Sequence, residues 1–348
     1  AFIVIVRHQV HHVLFEVGPG AGDDLHFVLT DHLGQREAQL GRTHRPAQGD
    51  HHFAPGVQMG FIAFGRVDEG GGVEMAGETE RIVGKWLKAK PREQIVVTSK
   101  CFAQVGVGAN DGGLSRQHIL HAAEQSLRRL DTDHIDLYMA HSFSQDVEME
   151  ETLRAFEILI QTGKIRYVGV SNWDAWQIQK ALGIQQLHHF CPLVSDQLRY
   201  NLLYRLPEED TLFSFCQQEG IGLMAYNPLA GGMLTGRYRF DEQPSGSQRF
   251  NEAVGGKLYQ IRYWNEALFA AVERYMEICR NHALDPVMAA VRFVLDRPQV
   301  STVLLGASKP GQLTSALAAQ EHALSREAAC ELDALWYTIP RRPDEQRH

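Results

Sequence analysis

From residue 76 onward the chain alternates two patterns. Short apolar runs of strand length are "IVVTSK" (95–100), "IDLYMAH" (135–141), "IRYVGVSN" (165–172), "CPLVSDQ" (191–197), "IGLMAYNP" (221–228) and "VSTVLLGAS" (300–308). Between them lie stretches with apolar residues every three to four positions, the period of an amphipathic helix. These cover 77–90, 115–130, 149–162, 174–183, 207–218, 265–283, 285–296 and 311–319; in 115–130, Ile119, Ala122, Leu127 and Leu130 share one face. Strand, helix, strand at about 30-residue spacing marks parallel βαβ units. A series of six favours a (β/α)8 barrel over a doubly wound sheet, and no GxGxxG fingerprint follows a strand. The fold class is therefore α/β, a (β/α)8 TIM barrel whose first one or two strands are not assigned.

The first 75 residues break the pattern. Eight of the 17 histidines fall there (His8, His11, His12, His26, His32, His44, His51 and His52), and "GPGAGDD" and "EGGG" interrupt any periodicity. "AFIVIV" and "HHVLFEV" suit short strands. The chain divides into 1–75, an atypical segment read as mistranslated or disordered, and 76–340, the barrel. His8-His11-His12 and His51-His52 lack the partnered Cys or carboxylate spacing of a metal centre, and no metal is expected.

Composition narrows the classes. The net charge is −8 and the pI about 6.1, which argues against nucleic acid or an anionic membrane as partner. No apolar run reaches the roughly 18 residues of a membrane span. The five cysteines, Cys101, Cys191, Cys216, Cys279 and Cys330, are scattered without a CxxC pair, as in a reduced, cytoplasmic protein. Oligomeric state is left open, homo-oligomer included.

The strand ends carry the chemistry: Lys100, His141, Ser171-Asn172, Gln197, Tyr226-Asn227 and Gly306-Ala307-Ser308. In a parallel barrel these ends converge on one mouth, where polar residues read as functional. Each alone has a plain explanation, such as a solvated strand end or a helix cap. Six together are harder to explain that way.

Four segments, "HIDLYMAHSF", "GKIRYVGVSN", "AYNPLAGGMLTGRY" and "VSTVLLGASKPGQL", together with "GETERIVGKWLK", resemble the aldo-keto reductase superfamily over residues 76–340. The stretch "SQRF…DPVMAAVRFVL" resembles bacterial members related to potassium-channel β subunits. The resemblance implies a barrel that binds NADP(H) without a Rossmann motif and transfers hydride to an aldehyde or ketone. It implies a catalytic set of Asp, Tyr, Lys and His, with Lys100 as the Lys and His141 as the His. A Tyr is a weak acid near its ordinary pKa of about 10, and the nearby Lys lowers that value.

By the same resemblance Ser171, Asn172 and Gln197 hold the nicotinamide carboxamide, and Tyr226 stacks on its ring. Asn227, Pro228, Leu229, Gly231, Gly232, Leu234 and Gly236 wrap the pyrophosphate. Gly306, Ser308, Lys309 and Gln312 meet the adenosine end. A Lys beside a Ser suits a 2′-phosphate, so NADPH is expected over NADH. Ser315 and Ala316 stand where the family often has an acid and an Asn, which weakens the adenine contacts. Ser171-Asn172 is thus expected to face the cofactor, with helix capping secondary.

The match breaks before "GETE". Aligned without gaps, the family's Asp falls near Phe64 and its Tyr near Glu69, and no Tyr precedes Tyr138. Three readings follow: a mistranslated N-terminal segment, an NADP(H)-binding protein without turnover, or a replacement such as Glu69, Asp68 or another group. A carboxylic acid in that role needs a strongly raised pKa. The sequence thus reads as an NADPH-dependent carbonyl reductase acting on a small-molecule carbonyl substrate. The alternative is a non-catalytic NADP(H)-binding regulatory or sensing subunit. Trp173 and Trp264 suit either pocket lining or helix packing.

Overall fold

Strands end where their apolar alternation ends, and helices begin at residues able to satisfy the first free N–H groups. The computed structural model describes residues 77–108, 110–246, 248–307 and 311–340, with the backbone of 2–6, 14–15, 27–28 and 60–63. In chain order the first strands are β1 (Phe2–Val6), β2 (Leu14–Phe15), β3 (Phe27–Val28) and β4 (Gly60–Ala63). Strict alternation follows: α1 (Glu78–Leu87), β5 (Ile95–Cys101), α2 (Arg116–Leu130), β6 (Ile135–Ala140), α3 (Met149–Gln161), β7 (Ile165–Ser171), α4 (Ala175–His188) and β8 (Leu193–Arg199). Two short helices, α5 (Leu206–Glu209) and α6 (Leu212–Glu219), lead to β9 (Gly222–Tyr226). Then come a 3₁₀ turn at Ala230–Thr235, α7 (Lys257–Tyr263), α8 (Glu266–Asn281), α9 (Pro286–Leu295), β10 (Val300–Gly306), α10 (Gly311–Ala318) and α11 (Arg326–Trp336).

Eight strands form one sheet in the order β1-β10-β9-β8-β7-β6-β5-β4, while β2 and β3 pair with each other. From β4 to β10 every pairing is parallel. β1 departs from the expected barrel pattern: it runs antiparallel to β10, with Phe2 opposite Gly306, and also lies beside β4. The sheet is therefore α/β with seven parallel strands and one reversed.

Alternation divides the sheet's two faces. Val97, Cys101, Val168, Val170, Leu198, Leu223, Ala225, Val303 and Leu305 join one large cluster with the helices. Leu137, Met139, Met224 and Leu304 form a second, small cluster, with Val194 and Tyr226 against it. Helix starts are capped in the expected chemistry. Ser115 Oγ accepts from the His118 N–H at 3.2 Å, and Asp285 Oδ1 from Met288 at 2.8 Å ahead of Pro286. On α2 the fully buried partner of Ile119 is Ala123, and Ala122 is only half-buried.

One core position is poorly matched to its surroundings. Asp196 on β8 is 0% exposed, and neither carboxyl oxygen makes a hydrogen bond. Burial pushes its pKa well above the ordinary range, despite the nearby main-chain N–H groups of Trp173 and Asn172. A raised folded-state pKa gives stability that is whole below the unfolded value and lost as pH rises. Asp196→Asn is therefore expected to raise the unfolding midpoint at pH 7, and the gain should vanish as pH falls toward 4. Thermal melts of both chains across that window check this; a lower midpoint at pH 7 would contradict it.

Candidate active site at the strand ends

The parallel order of β5 to β10 sends the C-terminal ends of six strands to one side. Lys100 is the penultimate residue of β5, opposite Met139 of β6, and His141 follows β6 directly. The His141 main-chain N–H donates to the Cys101 carbonyl at 2.9 Å. Ser171 lies opposite Gln197, and Arg199 opposite Tyr226. The structure thus gathers Lys100, His141, Ser171, Asn172, Gln197, Tyr226 and Asn227 at one mouth.

Lys100 Nζ donates to Gln197 Oε1. This bond fixes the Gln197 amide, because the acceptor end is taken by the ammonium. The other end, Nε2, is buried without a hydrogen-bond partner, and the residue is 2% exposed. A buried amide donor with no acceptor costs about 1–3 kcal/mol, so the site is set for an incoming acceptor. Burial also pushes the Lys100 pKa down to about 8, because the charged ammonium loses hydration.

Ser171 and Asn172 do not cap α4. That cap is Asp174, in a reciprocal capping box with Gln177. Asn172 adopts a left-handed φ of 55°. Its Nδ2 donates to Ser171 Oγ at 3.2 Å, and its Oδ1 accepts from the Arg199 N–H at 3.3 Å and the Tyr226 hydroxyl at 3.2 Å. Ser171 Oγ donates to the Gln197 carbonyl at 2.9 Å. The Ser-Asn pair is thus a brace that ties β7 to β8 and β9 at the mouth.

After β9, Asn227 organises the next loop. Its Oδ1 accepts from the Gly231 N–H at 2.7 Å, and its Nδ2 donates to the Tyr263 hydroxyl at 2.9 Å. Asn201 Nδ2 donates to the same hydroxyl and to the Asn227 carbonyl, both at 3.0 Å. Asn227 and Ala230 have positive φ, as do Gly231, Gly232 and Gly236. Pro228 and Leu234 are buried, so their side chains face the core, while Leu229, Gly231 and Gly232 are half-buried. A loop of successive left-handed residues with small side chains can present main-chain N–H groups to a phosphate-bearing ligand.

Gly306 is exposed at the end of β10, and Gln312 is exposed at the start of α10. Ala316 is 2% exposed in the core, out of reach of any ligand. Ser308 and Lys309 lie outside the described residues, as do the His8-His11-His12 and His51-His52 pairs, Phe64, Asp68 and Glu69. Among the described residues no group of three or more His, Cys, Asp and Glu is placed to hold a metal.

Beside Asn172 opens a cavity of about 400 Å³ lined by Phe102, Ser142, Phe143, Ser144, Gln145, Asp146, Asn172 and Gln177. Phe102, two residues past Lys100, has φ 148°. Phe143 meets Trp173 edge-on at 5.1 Å and Trp176 at 5.8 Å. Trp264 instead packs among Tyr238, Phe250 and Phe269.

Sequence reading missed Arg199. It is 2% exposed at the mouth, with its guanidinium 3.5 Å from the Tyr204 ring centroid. Its place two residues beyond Gln197 on β8, hence on the same strand face, was the available signal. The contacts of Asn201 and Tyr263 join residues 62 apart in sequence, which no local pattern reveals.

Comparison with known proteins gives a family and a set of relatives. Residues 75–337 match the aldo/keto reductase family. A putative voltage-gated potassium channel subunit beta of Schizosaccharomyces pombe is 36% identical over 250 residues, 70% of this chain and 72% of that protein. The protein tas of Escherichia coli K12 is 33% identical over 296 residues, 77% and 82% of the two chains. The L-glyceraldehyde 3-phosphate reductase of Escherichia coli O157:H7 is 30% identical over 241 residues, 68% and 69%.

Proposed function

The chain belongs to the aldo/keto reductase family, and from that premise and the strand-end geometry we propose that it reduces an aldehyde or ketone to the alcohol with NADPH, on a sheet that works as the family's (β/α)8 barrel. The observation that carries this reading is the Lys100–Gln197 pair with its orphaned, buried Nε2 donor.

The residues fit a nicotinamide dinucleotide. Nε2 of Gln197 matches a carboxamide oxygen, with Asn172 and Ser171 holding the strand ends around it. Tyr226, half-buried at the end of β9, offers a ring for stacking. The left-handed loop at Asn227–Gly236 suits a diphosphate, and the Ser308-Lys309 pair in the sequence suits a 2′-phosphate. Bound cofactor supplies the hydride. Lys100 and His141 flank the reacting carbonyl and polarise its oxygen. Phe102 and Phe143 wall the cavity and exclude water, which strengthens these polar contacts.

A second reading has one observation in its favour. No Tyr precedes Tyr138, so the family's phenolic acid is absent from its usual place before α1. A relative named as a potassium-channel β subunit fits a chain that binds NADP(H) and regulates a partner. The reading given first is preferred because Lys100 and His141 remain at the mouth.

The test is a titration of NADPH by fluorescence, followed by an aromatic aldehyde and the decay of the reduced cofactor's absorbance. The chain is expected to bind and to turn over. Gln197→Ala should bind about tenfold more weakly, the loss of one well-placed hydrogen bond. Binding without oxidation of cofactor would favour the regulatory reading; no binding would refute both.

A further inference from the structure

The loop that follows β9 is held by an amide that works at both ends. Asn227 Oδ1 accepts from the Gly231 N–H at 2.7 Å, and Nδ2 donates to the Tyr263 hydroxyl at 2.9 Å. An amide is planar, with its acceptor and its donors on fixed, separate atoms. A bond at one end therefore orients the other. With Nδ2 on the hydroxyl, Oδ1 is directed at Gly231. Turned over, the amide would set its amino group against the Gly231 N–H, donor against donor. Asn227 has φ 64°, and Gly231 and Gly232 have φ 70° and 97°, so the bond closes a left-handed run.

The hydroxyl that decides this orientation is itself held in place. Tyr263 is the last residue of α7 and is 1% exposed. Asn201 Nδ2 donates to the same oxygen and to the Asn227 carbonyl, both at 3.0 Å, while Asn201 Oδ1 accepts from the Leu203 N–H at 3.0 Å. That second amide is oriented from both ends and fixes the hydroxyl from the β8 side. A buried amide donor deprived of its acceptor is costly, so both amides hold to this oxygen. The hydroxyl of Tyr259, one turn earlier on α7, accepts instead from Arg249 at 2.9 Å.

Building on the NADPH-binding reading above, we propose that Tyr263 is a positioning residue for the cofactor's diphosphate. It acts through Asn227. The hydroxyl orients the amide, the amide holds the Gly231 N–H, and that bond keeps the left-handed loop curved to receive phosphate oxygens. A phenylalanine keeps the ring in the core but removes the acceptor. The Asn227 amide is then able to turn, Gly231 loses its partner, and the loop relaxes. Ligands that carry the diphosphate register the change. Those that lack it do not, because that reading places the nicotinamide at Gln197 and the adenosine beyond β10.

The test sorts ligands by whether they carry the diphosphate. NADPH is titrated by fluorescence, and 2′-phospho-ADP-ribose, 2′-AMP and nicotinamide mononucleotide are titrated by calorimetry. In Tyr263→Phe the first two are expected to bind about tenfold more weakly, and the last two to stay within about twofold. Hydrogen exchange at the Gly231 N–H of the ligand-free variant should quicken relative to Val170 on β7. Asn227→Ala should show the same ligand pattern, and the double variant should lose no more than either single one, since Tyr263 acts through Asn227. Tyr259→Phe, the same change one turn away, should leave the pattern as in the parent chain. Equal weakening of all four ligands, unchanged diphosphate binding, or additive losses in the double variant would overturn the proposal. A parent chain that binds neither NADPH nor 2′-phospho-ADP-ribose would instead overturn the cofactor reading, and this proposal with it.

Discussion

Lys100→Met lowers kcat for carbonyl reduction by about 10²–10³-fold, the usual span for a donor that stabilises a developing oxyanion. Cofactor affinity should change less than tenfold. The two effects separate because the residue has two different tasks. Toward Gln197 it supplies one hydrogen bond that orients the amide. Methionine removes that bond, but Ser171 and Asn172 still brace the strand on either side. Toward the substrate it supplies the cation that polarises the carbonyl oxygen, and methionine offers none. Steady-state kinetics beside a fluorescence titration reads both numbers. Loss of binding in parallel with kcat would mean that Lys100 serves the cofactor rather than the reaction.

Gly231→Ala is expected to lower stability by about 2–4 kcal/mol, from left-handed strain and from overpacking together. Gly231 has φ 70°, and an added Cβ would lie 2.6 Å from Tyr259 Cδ1 and 3.1 Å from the Phe250 ring. Neither ring is free to give way: Phe250 is fully buried, and Tyr259 packs edge-on against it at 5.9 Å. Relief by moving the main chain would break the Gly231 N–H bond to Asn227 Oδ1. NADPH affinity should therefore fall with stability, by about tenfold for one lost main-chain contact. Gly246→Ala is the control. Its φ of 58° carries similar strain, but nothing lies within 4 Å of the added atom. Chemical denaturation of the two variants should separate strain from collision; equal losses would contradict the crowding at Gly231.

Much of this arrangement was written locally. The six strands from β5 to β10 fall within two residues of the apolar runs at nearly every start, because a buried parallel strand needs an unbroken apolar stretch. The mouth residues were legible for the same reason: polar side chains at the ends of such strands need a task. Three features were not. α4 runs on to His188, past the predicted range of 174–183, since tertiary contacts override a single weak helix former such as Gly183. α11 has no counterpart among the predicted helices, although Ser325 caps it and Ala328, Leu332 and Leu335 repeat at helical spacing. The antiparallel pairing of β1 with β10 sets Phe2 opposite Gly306, a contact between segments far apart in sequence, which periodicity cannot encode. At the site, Arg199 and the Asn201–Tyr263–Asn227 cluster escaped because their roles arise from contacts between distant strands and helices.

The most direct measurement follows the hydride. NADPH deuterated at the transferring C4 position is incubated with the chain and an aromatic aldehyde, and the alcohol is analysed by mass spectrometry. Direct reduction at this mouth is expected to place one deuterium on the former carbonyl carbon, in an amount that follows cofactor oxidation and is largely lost in Lys100→Met. Cofactor bound and retained, with no deuterium in the alcohol, would contradict the account and leave a protein that binds NADPH without reducing a carbonyl.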